Sequence, residues 1–267
     1  MIKPELEHTE KERIEAGAHM LHSQGEQTRE GGDATAAIAL HTKSLEAYTS
    51  TGNVLKQIEL HASLCLDYRH LANAAQTDED RQSFRAKALA EVEMSVAMTA
   101  QLTADDLAVG RALAHEHRGK FFVWNQQLAR AADDFEIALK SIQETPPDRR
   151  PKIYQQHYVQ LQLHLARLLS GNAQSEEAVL ATIQQLMDDV PEFDLPPKAD
   201  MFDEVYNVKV WVSGAYLHLA QFFKVSSAQH ARRYLGEAKD IITNDDRLIV
   251  RSKDLERVEK EMAQIDS

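Results

Sequence analysis

The residues with the clearest potential for chemistry are the twelve histidines, four of which lie close together in pairs. His19 and His22 are three residues apart and can share one face of a helix, as metal ligands do. His115 and His117 are two residues apart and diverge on a helix. No cysteine or shielded carboxylate in the nearby sequence completes a closed site around either pair. The sequence therefore predicts histidines at the surface or at the edge of the core, and no metal site.

Motifs for covalent catalysis are also missing from the sequence. It contains no Gly-x-Ser-x-Gly, no glycine-rich phosphate loop and no His-Glu-x-x-His. Neighbouring acids such as Asp133 and Asp134 point apart on a helix, which suits solvated faces rather than an acid–base pair. We expect a protein that is not an enzyme. The alternative, an enzyme with unrecognised residues, is open to a screen for hydrolysis of generic esters and phosphates.

The composition favours helices and excludes several classes of partner. Of the 267 residues, 43% are hydrophobic but only 6% are aromatic, and alanine and leucine dominate the apolar set. A net charge of −12 repels phosphate backbones, so we expect no nucleic-acid partner. The single cysteine, Cys65, lies in an apolar run and is predicted to be a small buried residue. No secretory h-region or membrane span is recognisable, which predicts no membrane partner and a cytoplasmic location.

Apolar residues recur at helical spacing, and capping or helix-breaking residues separate the segments. This pattern predicts eleven helices in a single domain spanning residues 1–267. The first ten are expected to form five antiparallel hairpins, at about 4–51, 53–101, 104–144, 152–190 and 199–243. The eleventh, at 246–265, is predicted to cap the array, because its apolar residues form one stripe. That stripe consists of Leu248, Leu255, Val258, Met262 and Ile265.

A spacing of large and small residues recurs on these predicted hairpins. On first helices it is clearest at Tyr216, Leu219, Ala220 and Phe223. On second helices it is clearest around Ala131, and Ala37, Ala88, Ala178 and Ala231 hold the corresponding small position elsewhere. A methyl-sized side chain at that position lets two helix axes approach to about 8–10 Å.

These residues resemble the tetratricopeptide repeat (TPR) family, in which two helices with such patterns pair antiparallel. The resemblance implies an all-α fold, a right-handed α-α superhelix or TPR-like solenoid that acts by binding other proteins. The repeats diverge from the family, since the five alanines are separated by 51, 43, 47 and 53 residues, against about 34 in a standard repeat. The Lys-x-x-x-Asn pattern of family members that hold chaperone tails is absent. A plain helical bundle with chance matches is the alternative.

The resemblance implies that the first helix of each hairpin lines a concave groove. Projection from the packing stripe then gives seven candidate peptide- or protein-binding residues: Arg29, Arg69, His70, Lys120, Trp124, Arg167 and Lys224. Six of the seven can carry positive charge, so the groove is predicted to suit an acidic segment. An equally simple reading is that the cations stabilise helix C-termini through the helix dipole.

We therefore expect a non-enzymatic scaffold or adaptor that binds a protein or peptide without a cofactor. The alternative is a structural module that forms homo-oligomers through the apolar stripe of the last helix, around Leu248, Leu255 and Met262.

Overall fold

The structure is a computed structural model that describes residues 9–172, 175–193, 195 and 203–263. All regular secondary structure in these ranges is helical, and none of it is strand. The α-helices are α1 (Glu10–Glu30), α2 (Ala34–Thr51), α3 (Val54–Ala74), α4 (Asp78–Met98), α5 (Ala104–Trp124), α6 (Leu128–Glu144), α7 (Ile153–Leu169), α8 (Ser175–Asp188), α9 (Glu204–Phe223), α10 (Ala228–Thr243) and α11 (Ile249–Ala263). A short 3₁₀ turn, Thr99–Gln101, extends α4.

The eleven predicted helices are confirmed, and their ends follow the capping residues. Asp33 caps α2, with its carboxylate 2.9 Å from the Ala36 amide that donates to it. Helix α4 begins at Asp78, where the Thr77 hydroxyl accepts from the Asp80 amide at 3.0 Å. Helix α10 begins at Ala228, where the Ser227 hydroxyl accepts from the His230 amide at 3.3 Å. The predicted helical residues 4–8, 199–202 and 264–265 lie outside the described ranges.

Two compact units divide the chain, and the division falls in the last turn of α5, between Phe121 and Phe122. In the first unit, α1 packs on α2, α2 on α3 and α3 on α4. Helix α5 contacts α3 at Gly110, where an added Cβ would lie 3.3 Å from Leu55. It also reaches α4 through an ion pair of 3.1 Å between Arg118 and Glu93. Consecutive helices are therefore neighbours in space.

The second unit has one continuous apolar core. Helix α7 packs on α6 and α8, and α9 packs on α7, α8, α10 and α11. Leu161, Leu186 and Leu219 are fully buried at its centre. The apolar stripe predicted for the last helix is buried in the same core, through Leu255, Val258 and Met262 of α11 and through Leu248, which directly precedes it. Ile265 lies outside the described residues. This stripe, which the alternative prediction would use for contact between two copies of the chain, is therefore covered by residues of the same chain.

The turn before α11 is held by a buried ionic cluster. The fully buried carboxylate of Asp245 lies 3.4 Å from the Lys209 ammonium of α9 and 2.8 Å from the Arg247 guanidinium. Arg247 in turn lies 3.6 Å from Asp203, the residue that caps the N-terminus of α9. Burial opposes ionisation of Asp245, but Arg247 and Lys209 outweigh it and lower the pKa of this carboxyl.

The small positions predicted on the second helices of the hairpins are mostly in the interior. Ala37, Ala88, Ala131 and Ala231 are each fully buried, whereas Ala178 on α8 is partly exposed. The predicted pairs α1–α2, α3–α4, α7–α8 and α9–α10 all pack together. Pairing of the helices at 104–144 spans the division between the units and stays a prediction. No helix in the described ranges is both long and apolar enough to span a lipid bilayer.

Replacement of Ala131 by leucine should destabilise the second unit by about 1–3 kcal/mol, because the fully buried site has no room for a branched side chain. Urea unfolding followed by circular dichroism measures this change. The matched control is Ala129→Leu on the same helix, where the exposed position predicts a change of less than about 0.5 kcal/mol. Equal effects of the two variants would contradict close packing at Ala131.

Candidate functional site

Five charged or titratable side chains from three helices meet inside the first unit. His22, Glu26 and Arg29 come from α1, His41 from α2 and Asp67 from α3. We call this set the polar cluster. His41 and Asp67 are fully buried, and His22 and Arg29 are exposed by only 7% and 5%. Groups of this kind are rarely removed from water unless each is paired, so their contacts decide what the cluster can do.

His41 lies at the centre of the cluster, between two carboxylates. Its Nδ1 is 2.6 Å from Asp67 Oδ2, and its Nε2 is 3.4 Å from Glu26 Oε1. Because an ionised carboxylate can only accept, the hydrogen between His41 and Asp67 belongs to Nδ1. In a neutral ring this places the lone pair on Nε2, which is buried and has no hydrogen-bond partner.

Arg29 neutralises much of the acidic charge in the cluster. Its Nη1 donates to Glu26 Oε1 at 2.7 Å, and its Nη2 donates to the other oxygen of the same carboxylate. Nε donates to Glu30 at 3.3 Å, and Nη1 also lies 3.5 Å from Asp67 Oδ1. This two-point contact with Glu26 is the strong, oriented form of an arginine–carboxylate pair.

The electrostatics of the cluster reflect a balance between burial and pairing. Burial opposes ionisation of Glu26, but Arg29 and His22 outweigh it and lower the pKa of this carboxyl well below its usual value. Burial raises the pKa of Asp67, against the opposing effects of His41 and Arg29. Burial, with the nearby Lys120, lowers the pKa of His117 on α5 well below its usual value. His117 is therefore neutral at pH 7.

Small residues let α1 and α2 approach closely enough to form the cluster. The His41 ring packs against Gly25, where an added Cβ would lie only 2.4 Å from Nε2. Two turns earlier on α1, the carbonyl of Ala18 accepts from the hydroxyl of Ser44 at 2.7 Å. His22 lies three residues before Gly25 on α1, and its Nε2 is 3.1 Å from Ser63 Oγ of α3.

One predicted groove residue, Arg29, belongs to this cluster. Its guanidinium lies in the interior, where a peptide could not reach it, since three carboxylates surround it. Helical projection placed Arg29 beside the packing stripe, but α2 and α3 both cover that face of α1.

Three other predicted cations form ion pairs within the chain. Lys120 lies 2.9 Å from Glu116, Arg167 lies 2.7 Å from Glu136, and Lys224 lies 3.0 Å from Glu261. Of these, Arg167 is the most exposed, with 42% of its side-chain surface open to solvent. Arg69, His70 and Trp124 are partly buried.

Most of the polar cluster cannot be recognised in the sequence. His22 was considered as a ligand with His19, but His19 is exposed, and the cluster pairs His22 with Glu26, one turn further along α1. The spacing His-x-x-x-Glu was a visible signal, because residues four apart share a helix face. His41 and Asp67 carried no such signal, since each comes from a different helix.

Comparison with known proteins gives no relative from which a role could be transferred. No family model matches the chain, and no curated protein is significantly similar to it. The fold and the cluster define a class only: an all-helical protein of sequentially packed helices with a buried ionic centre in its first unit.

Substitution of Gly25 by alanine should destabilise the first unit by about 1–3 kcal/mol, because the new methyl group overlaps the His41 ring. Gly17 on the same helix provides the matched control, since nothing lies within 4 Å of its added Cβ. Gly17→Ala should stabilise the helix by roughly 0.5–1 kcal/mol. Thermal unfolding of both variants measures the difference, and stabilisation by Gly25→Ala would show that His41 is not held against α1.

Cys65 on α3 should resist thiol reagents as long as the first unit stays folded. It is 1% exposed, and burial raises the pKa of its thiol to about 12. Because the thiolate is the reactive form, only about one thiol in ten thousand is ionised at pH 8. Labelling with a chromogenic disulfide reagent should be slow in buffer and complete in urea. Rapid labelling in buffer would contradict this placement.

Proposed function

We propose that the protein is a non-enzymatic scaffold that binds a protein or peptide segment, built as a TPR-like, right-handed array of helix pairs. The observation that carries the proposal is the burial of Ala37, Ala88, Ala131 and Ala231. These are the positions at which the TPR resemblance requires a small residue between paired helices. Neighbour-on-neighbour packing of the helices also supports it, because repeat arrays are built in this way.

The alternative of self-association through the last helix has less support. Its stripe, which includes Leu248, Leu255 and Met262, packs into the core of the second unit. Light scattering of the purified protein separates the two ideas, since a stable oligomer would favour the structural module.

An acidic segment is the partner that the exposed cations suit. Arg167 on α7 pairs with Glu136, whose side chain is 54% exposed. An ion pair this exposed contributes about 0–1 kcal/mol, so a carboxylate of a bound peptide can replace Glu136 at little cost. The planar guanidinium can then hold the incoming carboxylate at two points.

The test uses two charge reversals of equal size in the second unit. Arg167→Glu alters the first helix of a predicted hairpin, and Lys239→Glu alters a second helix. Lys239 is also exposed and also paired, 2.9 Å from Glu259. A fluorescent peptide library rich in Asp and Glu, with a Lys-rich library for comparison, is titrated against each variant and followed by anisotropy.

We expect acidic peptides to bind the unaltered protein, and Arg167→Glu to weaken binding about tenfold, equivalent to about 1.4 kcal/mol. Lys239→Glu should change affinity by less than about twofold, since a distant surface charge is screened by salt. Equal losses in both variants would show a general effect of net charge rather than a groove. If neither library binds, an acidic segment is not the partner.

A further inference from the structure

We propose that His22, Glu26 and His41 form a binding site for one divalent transition-metal ion between α1 and α2, with Zn²⁺ as the preferred ion. The site is independent of the proposed peptide groove. It lies wholly within the first unit, whereas the residues of the peptide test lie in the second.

The three donor atoms lie close enough together to bind one ion. His22 Nε2, Glu26 Oε1 and His41 Nε2 all lie within 4.8 Å of one another. Glu26 Oε1 is 3.7 Å from the first nitrogen and 3.4 Å from the second. Bonds of about 2.0–2.1 Å in a tetrahedron place neighbouring donors about 3.3 Å apart, and both separations from Glu26 Oε1 are within about 0.4 Å of this value.

His41 is already oriented as a metal ligand. Metal-binding imidazoles commonly donate their second ring N–H to a carboxylate, which fixes the tautomer and directs the other nitrogen at the ion. The contact of 2.6 Å from His41 Nδ1 to Asp67 has this form. The opposite nitrogen is fully buried, has no hydrogen-bond partner and faces Glu26. A buried lone pair of this kind needs a proton or a cation.

The charge of the cluster also favours a cation. Three carboxylates, those of Glu26, Glu30 and Asp67, lie around the single guanidinium of Arg29. A divalent ion adds positive charge beside these carboxylates without protonation of a histidine.

The choice of metal follows from the donors. Two imidazole nitrogens and one carboxylate oxygen suit Zn²⁺ and its neighbours in the first transition row, whereas Mg²⁺ and Ca²⁺ prefer oxygen donors. Two existing contacts compete with the ion: Arg29 holds Glu26, and the Ser63 hydroxyl holds His22 Nε2. Glu26 can share Oε1 with the ion and keep Oε2 for Arg29, but His22 must give up Ser63.

The experiment uses the full chain, stripped with a chelator and dialysed. Zn²⁺ is titrated calorimetrically, and Co²⁺ is added in parallel because its visible absorption distinguishes tetrahedral from octahedral coordination. Three variants accompany the unaltered protein: His22→Gln, Ser63→Ala and His157→Gln. His157 is the matched control, since its Nδ1 also lies 2.6 Å from a carboxylate, that of Asp189. No candidate metal cluster among the described residues includes it.

We expect one Zn²⁺ per chain, a tetrahedral Co²⁺ spectrum and a higher melting temperature with the ion bound. His22→Gln should weaken binding by more than about tenfold, since it removes one of three ligands. Ser63→Ala should bind at least as tightly as the unaltered protein, because it removes a competitor and leaves every ligand. His157→Gln should bind like the unaltered protein.

An octahedral Co²⁺ spectrum, or equal losses in the His22 and His157 variants, would show binding by surface histidines and overturn the proposal. So would the absence of stoichiometric binding. If circular dichroism shows that His22→Gln is unfolded, the Co²⁺ spectra of the unaltered and Ser63→Ala proteins decide the question. Loss of peptide binding in the Arg167 variant bears on the groove alone, so the two proposals can fail separately.

Discussion

Close approach of neighbouring helices is the constraint on which the rest of this structure depends. Two helices can approach closely only where the side chain between them is small. The chain meets this need with fully buried alanines at positions 37, 88, 131 and 231 and with Gly25 between α1 and α2. Since a packed interior cannot absorb extra volume, these positions set the spacing of the layers around them.

The polar cluster is a product of the same constraint. His41 reaches Asp67 and Glu26 only because Gly25 leaves room for its ring against α1. Once brought together, the buried groups depend on one another, because removal of one partner leaves another as a buried charge without compensation. The cluster therefore ties three consecutive helices through groups that no pair of helices could satisfy alone. Whether a proton or a metal ion completes it determines its chemical role.

The sequence predicted the helices well because the information for them is local. Thr77, Ser227 and Gly52 mark the ends of helices through contacts within a few residues, and the last of them has a positive φ of 70° that suits glycine. The stripe on α11 was predicted for the same reason, as its period is a property of one helix. Ala178 is a partial exception, because it was predicted at a packing position but is partly exposed. The burial of a side chain depends on neighbouring helices, which the local sequence does not specify.

The candidate site was harder to predict because its information is spread over several helices. The periodicity of α1 places Arg29 near a packing face, but it cannot show that Glu26, Glu30 and Asp67 surround the guanidinium. Likewise, nothing local shows that Glu136 lies beside Arg167, 31 residues further along the chain. From the sequence alone, charged residues on a helix look solvent-exposed, because the carboxylates of adjacent helices that pair with them cannot be located. Buried ionic centres are therefore the features that a single sequence reveals last.

The ionic cluster around Asp245 has a consequence for local motion in the second unit. Asp203 accepts from the Tyr206 amide at 2.7 Å and so closes the first turn of α9, while its other oxygen faces Arg247, next to Asp245. The beginning of one helix and the turn that precedes another are thus fastened by shared charges. Fraying at either place loosens the other, so amide hydrogens in both segments should exchange with solvent through a common opening event.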